Sequence, residues 1–260
     1  MLKCASSRRL QAPKKVTKRI LILKTGTTIT PVLERGEDFE QWFIQFGSGD
    51  ANHYFVCNLQ NGEVLPDLDK VLGIIITGSA ANVTAAEAWT YAGADYLRAA
   101  RHSEVPMLGV CYGHQLIAWT FGGVVEFHAR GREIGTEDIR SSEQVIDDIL
   151  FCELPRQFKA QVSHQQTVTE LPVGAVHLAG NAFEPNQAFR LGQNIWGVQF
   201  HPEFTAEVVR TYIEHRAAAI TEEGLDVAQL LAKVTESEFA SIPLQRFTSY
   251  CLEQASVARV

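Results

Sequence analysis

Four short apolar runs, interleaved with stretches of helical spacing, constrain this chain more than any other feature in it. They are Arg19-Ile-Leu-Ile-Leu23, Tyr54-Phe-Val-Cys-Asn58, Val71-Leu-Gly-Ile-Ile-Ile-Thr77 and Met107-Leu-Gly-Val110. Each is shorter than a typical helix and most are rich in branched residues, as strands buried on both faces of a parallel sheet are. After the first run, Phe39, Trp42, Phe43 and Phe46 recur at spacings of three and four, which predicts an amphipathic helix over about 37–46. An alanine-rich stretch over 85–102 predicts a second helix, and Pro106 closes that connection. This alternation implies an α/β fold, an open and mostly parallel sheet flanked by helices. After Gly123 the texture changes to shorter alternating segments at 124–127, 161–169, 188–191 and 195–200. These read as antiparallel or mixed strands added to the core. Thr205 is a natural cap for a further helix, with Glu207 near its positive end.

At 260 residues the chain has ample material for one large core. We divide it into a basic tail (1–18), a main α/β domain (19–222) and a C-terminal extension of short helices (223–260). The formal charge is -7, unevenly spread. Lys3, Arg8, Arg9, Lys14, Lys15, Lys18 and Arg19 precede the first acidic residue, Glu34, so the rest carries about -14. An acidic body argues against a nucleic-acid partner, because phosphate contacts need clustered cations. The basic tail reads as a transit peptide or as a solvated disordered segment; Pro13 interrupts an amphipathic helix there and favours the second. No run approaches the roughly 20 apolar residues of a membrane span, so no membrane association is expected. The five cysteines (Cys4, Cys57, Cys111, Cys152, Cys251) are odd in number, scattered and without a Cys-x-x-Cys pair. They suggest neither a disulfide framework nor a metal site, and they fit a reducing, cytoplasmic setting.

The most informative segment is Gly109-Val-Cys-Tyr-Gly-His-Gln115, between an apolar strand and a helical pattern over 116–121. A nucleophile on a sharp strand-to-helix turn needs small residues two positions to either side, and Gly109 and Gly113 supply them around Cys111. The sulfur then sits at a helix N-terminus, which favours the thiolate. Alone, the pattern is also compatible with a buried structural cysteine beside two incidental glycines. A nucleophilic thiolate needs a base held by a third group. Far downstream, the run 195–200 leads into His201-Pro-Glu203, where a spacing of two at a strand end sends both side chains to one side. Glu203 could then orient His201 toward Cys111. A surface turn is the ordinary reading of that tripeptide, and the elbow upstream weighs against it.

Together, 109–115 and Gly197-Val-Gln-Phe-His-Pro-Glu203 resemble the motifs of the class I (triad) glutamine amidotransferases. The chain is most similar to the glutaminase domain of GMP synthase and its stand-alone relatives, over about residues 19–215. The resemblance implies a flavodoxin-like core and a catalytic triad of Cys111, His201 and Glu203. It implies an oxyanion hole from the backbone N–H of Gly78 or Ser79 and that of Tyr112. It also implies substrate contacts at Gln115 and at Ser163-His164, in a segment whose backbone holds the amino-acid end of glutamine. The aspartate of that family segment is Gln166 here, which removes a charge. No cofactor or metal is implied. The 57 residues after Glu203 are too few for the ATP-pyrophosphatase domain of GMP synthase. The expected activity is therefore hydrolysis of a glutamine amide, with ammonia passed to a synthetase in trans. The alternatives are a stand-alone γ-glutamyl peptidase, or a catalytically silent relative that binds a partner or metabolite.

Overall fold

A computed structural model describes residues 18–257; the expectations for the basic tail lie outside the described residues, Lys18 excepted. The strands are β1 (Arg19–Lys24), β2 (Tyr54–Asn58), β3 (Val71–Ile76), β4 (Met107–Val110), β5 (Val124–Phe127) and β6 (Glu133–Ser141), followed by β7 (Gln157–His164), β8 (Gln166–Glu170), β9 (Ala175–Gly180), β10 (Ala188–Leu191) and β11 (Ile195–Val198). The helices are α1 (Thr30–Leu33), α2 (Phe39–Phe46), α3 (Ala88–His102), α4 (Tyr112–Thr120), α5 (Ala206–His215), α6 (Ala217–Glu222), α7 (Val227–Lys233) and α8 (Ile242–Val257).

Alternation along the apolar runs dictates a sheet covered on both sides. Ile20, Ile22 and Ile75 enter one core cluster, whereas Leu21, Leu23, Ile74 and Ile76 enter another. The first cluster is closed by Phe39, Trp42 and Phe43 of α2, Val208 and Val209 of α5, and Leu244 and Phe247 of α8. The second is closed by Tyr96 and Leu97 of α3 and by Leu116 and Ile117 of α4. α8 lies close to the sheet: a Cβ on Gly73 would fall 2.3 Å from the Cys251 sulfur. The helix expected over 37–46 starts at Phe39, because Asp38 caps it: Asp38 accepts from Phe39 N at 2.8 Å and Gln41 Oε1 accepts from Asp38 N at 2.9 Å, a capping box.

The main sheet runs β2-β1-β3-β4-β11-β10-β9-β6-β7. The first five strands are parallel, and the rest add antiparallel pairings. Segment 195–200, expected among the added strands, instead ends at Val198 and lies parallel to β4. Gly197 sits opposite Gly109 in that pairing, so two motif glycines share one sheet position. Segment 161–169, expected as one strand, breaks at Gln165. Its first half joins the main sheet and its second pairs with β5 in a two-stranded sheet. β9, and most of the length of β6, were not anticipated from the pattern. α4 begins at Tyr112, a turn before the apolar spacing starts, directly after the elbow residue Cys111.

Three neighbouring parallel strands, β3, β4 and β11, end at the same carboxyl edge. From there the chain continues into Gly78-Ser79, Cys111 and His201 respectively. Ligands in open α/β sheets bind at this edge.

Candidate active site

Cys111 adopts φ 52° and ψ -101°, a conformation rare for a residue with a side chain. The flanking glycines explain how the turn is possible. A Cβ on Gly109 would lie 2.3 Å from Gly113 O, and one on Gly113 would lie 2.4 Å from Ile76 O. Cys111 N donates to Val198 O at 2.9 Å, tying the elbow to β11.

Downstream of β11, His201 N donates to Gln161 O at 2.8 Å, which fixes the backbone beside the elbow. Its Nδ1 lies 2.8 Å from Glu203 Oε1, and Glu203 is fully buried. With Nδ1 so engaged, Nε2 is the nitrogen left to face the thiol. The ring stacks on Phe204 at 3.9 Å between centroids and 11° between planes. Phe204 is itself wedged among Phe39, Trp42 and Tyr212. A Cβ on Gly78 would come within 3.1 Å of His201 Cε1, so glycine there lets the ring sit flush against the loop after β3. Burial alone would push the Cys111 thiol up, but the charge and hydrogen bonding of His201, with a smaller contribution from His164, bring it below the ordinary cysteine value. Burial opposes protonation of His201 in turn, and Glu203 and Cys111 overcome it, so its pKa is raised. Both shifts favour a thiolate–imidazolium pair.

Ser79, Cys111, Gln115, Ser163, His164 and His201 line one cavity of about 570 Å³. Gly78 and Tyr112 are the chain neighbours of Ser79 and Cys111, behind this lining. Tyr112 opens α4, so its N–H has no carbonyl within the helix to bond. Its side chain points elsewhere, the hydroxyl 3.0 Å from Thr90 Oγ1 and its pKa raised by burial. The Gly78 carbonyl accepts from Thr25 Oγ1 at 3.1 Å and Thr77 Oγ1 at 3.0 Å. Gln115 Nε2 donates to Gln166 O and to Gln199 Oε1, both at 2.9 Å, which leaves Oε1 to accept from a ligand. Ser163 O lies 3.8 Å from the Cys111 sulfur, and Ser163 Oγ is buried without a partner among the described residues.

His164 is the residue whose surroundings the sequence least foretold. Its Nδ1 lies 2.9 Å from Gln166 O and its Nε2 lies 2.8 Å from Glu133 Oε2. A carbonyl only accepts, and so does a carboxylate. Both ring nitrogens therefore carry protons, and His164 is a buried cation; burial lowers its pKa and Glu133 more than reverses that. Glu133 also accepts from Asn181 Nδ2 at 2.7 Å and Gln187 Nε2 at 2.9 Å. This network was missed because its members are ordinary polar residues spread over 133–187. At the cavity rim, Arg132 donates to both oxygens of Glu223 at 2.8 Å, which lowers the pKa of Glu223, while Arg216 lies over the Tyr212 ring. His114 is a core residue: fully buried and packed on Phe189, its pKa is driven down to about 3 by burial.

Among the described residues, no group of His, Cys, Asp and Glu is arranged to hold a metal ion, and no helix is long and apolar enough to cross a membrane. The side chains of the site supply a polarised thiol, a held imidazole, backbone donors beside both, and a pocket with unfilled polar atoms.

Comparison with known proteins gives the family of the chain. The model of the family "Glutamine amidotransferase class-I" matches residues 53–218. A "GMP synthase [glutamine-hydrolyzing]" from Porphyromonas gingivalis is 36% identical over 149 residues, 56% of this chain and 28% of that protein. "Gamma-glutamyl peptidase 3" from Arabidopsis thaliana is 28% identical over 146 residues, 55% of this chain and 59% of that one. The chain thus spans under a third of the first relative and under two thirds of the second. The crystal structure of a glutamine amidotransferase from Thermotoga maritima superposes with a TM-score of 0.68 at 21% identity, covering 92% of this chain and 97% of that one. At that identity the likeness speaks for the fold.

Proposed function

The chain belongs to the class I glutamine amidotransferase family, and from that premise we propose that it hydrolyses a γ-glutamyl amide through Cys111, His201 and Glu203. The observation that carries the proposal is the elbow at φ 52°, which presents Cys111 to an imidazole fixed by Glu203 at 2.8 Å.

The Cys111 thiolate attacks the side-chain amide carbonyl of the substrate. Charge developing on the carbonyl oxygen is taken up by the N–H of Tyr112 and that of Ser79 or Gly78, each such donor contributing roughly 3–4 kcal/mol to the transition state. As the C–N bond breaks, the imidazolium of His201 gives its Nε2 proton to the departing nitrogen, leaving a γ-glutamyl thioester on the sulfur. Neutral His201 then removes a proton from water as it attacks the thioester, and the thiolate is released with glutamate. Glu203 holds the ring and balances its charge in the protonated stages. Gln115 Oε1 and the 163–166 segment are assigned to the amino-acid end of the substrate.

With glutamine as substrate the product is ammonia, which we propose is handed to a synthetase in trans. A second reading, γ-glutamyl peptide hydrolysis, is favoured by two observations. The cavity of about 570 Å³ falls in the range that encloses drug-sized ligands, larger than glutamine needs. The neutral Gln166 stands where the resemblance expects a carboxylate, and its side chain is turned to Thr84. The buried free thiols Cys57, Cys111 and Cys251 suit a reducing, cytoplasmic setting.

The test is release of glutamate from glutamine and from γ-glutamyl dipeptides by the wild-type protein and by Cys111→Ala. Wild-type turnover abolished in the variant is expected; preference between the two substrates decides between the readings. Turnover that survives the substitution, or its absence on both substrates in the wild type, would refute the proposal.

A further inference from the structure

Among the described residues, the cationic side chains bonded around the Cys111 cavity each have a carboxylate partner, and Arg216 does not. Arg132 is bonded to Glu223, His164 to Glu133 and His201 to Glu203. Arg216, at the junction of α5 and α6, also lines the cavity. Among the described residues its guanidinium makes no hydrogen bond and no ion pair. It is half-buried, with Cζ 5.4 Å from the centre of the Tyr212 ring. Burial first, and then repulsion from Arg132, lowers its pKa, while Tyr212, the Cys111 thiolate and Glu223 act in the opposite sense, Glu223 without bonding to it. A guanidinium so placed has lost part of its water without gaining an acceptor, an unfavourable state that an anion would relieve. Its planar fork of donors matches the two oxygens of a carboxylate. Two residues lining the same cavity carry buried polar atoms without a partner among the described residues, Ser163 Oγ and Gln166 Oε1, and of these the hydroxyl can donate to an anion.

We propose that Arg216 is a substrate-binding residue that takes a carboxylate of the γ-glutamyl compound held against Cys111. The inference rests on the hydrolase reading above. Such a compound offers two sources for the carboxylate. One is the α-carboxylate of the glutamyl half, which glutamine also has. The other is the carboxylate of an amino acid on the amine half, which only a γ-glutamyl peptide has. Either source places a carboxylate beside the fork, which is the chemistry the cavity lacks.

The experiment is calorimetric titration in a Cys111→Ala background, which binds without turnover. The probes are glutamine, glutaminamide, γ-glutamylglycine and γ-glutamylglycinamide. Arg216→Gln is expected to weaken binding of the recognised carboxylate by about 10- to 100-fold, the span of a hydrogen bond to a charged group. Equal loss for glutamine and γ-glutamylglycine, with glutaminamide already weak in the parent, assigns the α-carboxylate. Loss confined to γ-glutamylglycine, with γ-glutamylglycinamide already weak in the parent, assigns the amine half. Arg216→Lys, which keeps the charge without the fork, should recover part of the affinity; should Arg216→Gln fail to fold, the lysine variant and the acid-against-amide comparison carry the test. Affinities unchanged in both variants overturn the proposal, as does a parent that binds none of the probes. Arg216-dependent binding in a protein whose wild type turns over nothing would sink the hydrolase reading and leave only the carboxylate-binding role of Arg216. Turnover with affinities indifferent to Arg216 would do the reverse.

Discussion

Replacing Glu133 by glutamine tests how the charge behind the elbow is held. The wild-type carboxylate is 4% exposed and accepts three bonds, from His164 Nε2 at 2.8 Å, Gln187 Nε2 at 2.9 Å and Asn181 Nδ2 at 2.7 Å. Glutamine keeps the shape but offers one acceptor and one amino group. Its oxygen can still accept from Asn181, and its amino group then faces His164 and Gln187. His164 can adapt by releasing its Nε2 proton and accepting instead; the Gln187 amide can turn its unpartnered Oε1 to the new amino group only by leaving its own Nε2 without an acceptor. One buried donor left without an acceptor costs about 1–3 kcal/mol, and breaking a buried ion pair on one side costs about 3–5 kcal/mol. Because the histidine adapts, Glu133→Gln should fall where these ranges meet, at about 3 kcal/mol. Urea unfolding should show the loss as a lower midpoint at unchanged slope. Its pH dependence has a definite sign. The His164 pKa is raised in the folded state, so the pair's stabilisation is complete below the unfolded value of about 6.5 and is lost as pH rises through the native one. The gap between wild type and variant should therefore narrow with rising pH. Losing the His164 cation also removes one of the groups that lower the Cys111 pKa. Alkylation of Cys111, followed by site-resolved mass spectrometry, should then need a higher pH in the variant. An unchanged midpoint together with a superimposable alkylation profile would refute the reasoning.

Other perturbations probe the elbow and the imidazole. Gly113→Ala would put a Cβ 2.4 Å from Ile76 O; that atom is strand backbone, so stability should fall by about 3 kcal/mol or more in urea unfolding, and a normal midpoint would show that the elbow is not pinned to β3. Glu203→Gln keeps the shape of the group bonded to His201 but removes its charge, so turnover should drop by about 10³- to 10⁴-fold; a loss under about tenfold would contradict the role given to Glu203. Phe204→Ala deletes the ring stacked on His201 at 3.9 Å, and should lower stability by about 3–5 kcal/mol as well as turnover. Unchanged turnover in a folded variant would show that the stack does not position the imidazole.

What was legible in the sequence was what local chemistry determines. The runs at 54–58 and 107–110 match their strands to the residue; the second is apolar and buried at all four positions, and the first is a short apolar run at the sheet edge bounded by polar segments. The Cys111 elbow was legible because the turn forces glycine at 109 and 113, a requirement that leaves a mark on the chain itself. His201 and Glu203 could be paired because two residues at a strand end share a side. β6 was not legible as a strand of nine residues: Glu137, Asp138 and Arg140 break its apolar alternation, and Glu133 is tolerated inside only because donors up to 54 positions away converge on it. The break at Gln165 was hidden for a related reason, since both halves are strand-like and only their partners, β6 and β5, differ. Arg216 gave no signal at all. It follows the helix after Glu203 like any surface arginine, and its place in the cavity exists only once α5, which carries Tyr212, packs beside β6.

The measurement that bears most directly on the central claim is covalent trapping with a chloroketone analogue of glutamine, mapped by peptide mass spectrometry across all five cysteines. The account predicts a single adduct, on Cys111, whose formation is slowed by competing γ-glutamyl substrate and abolished in His201→Ala. Labelling spread over Cys57, Cys152 and Cys251, or labelling of Cys111 indifferent to both substrate and His201, would contradict it.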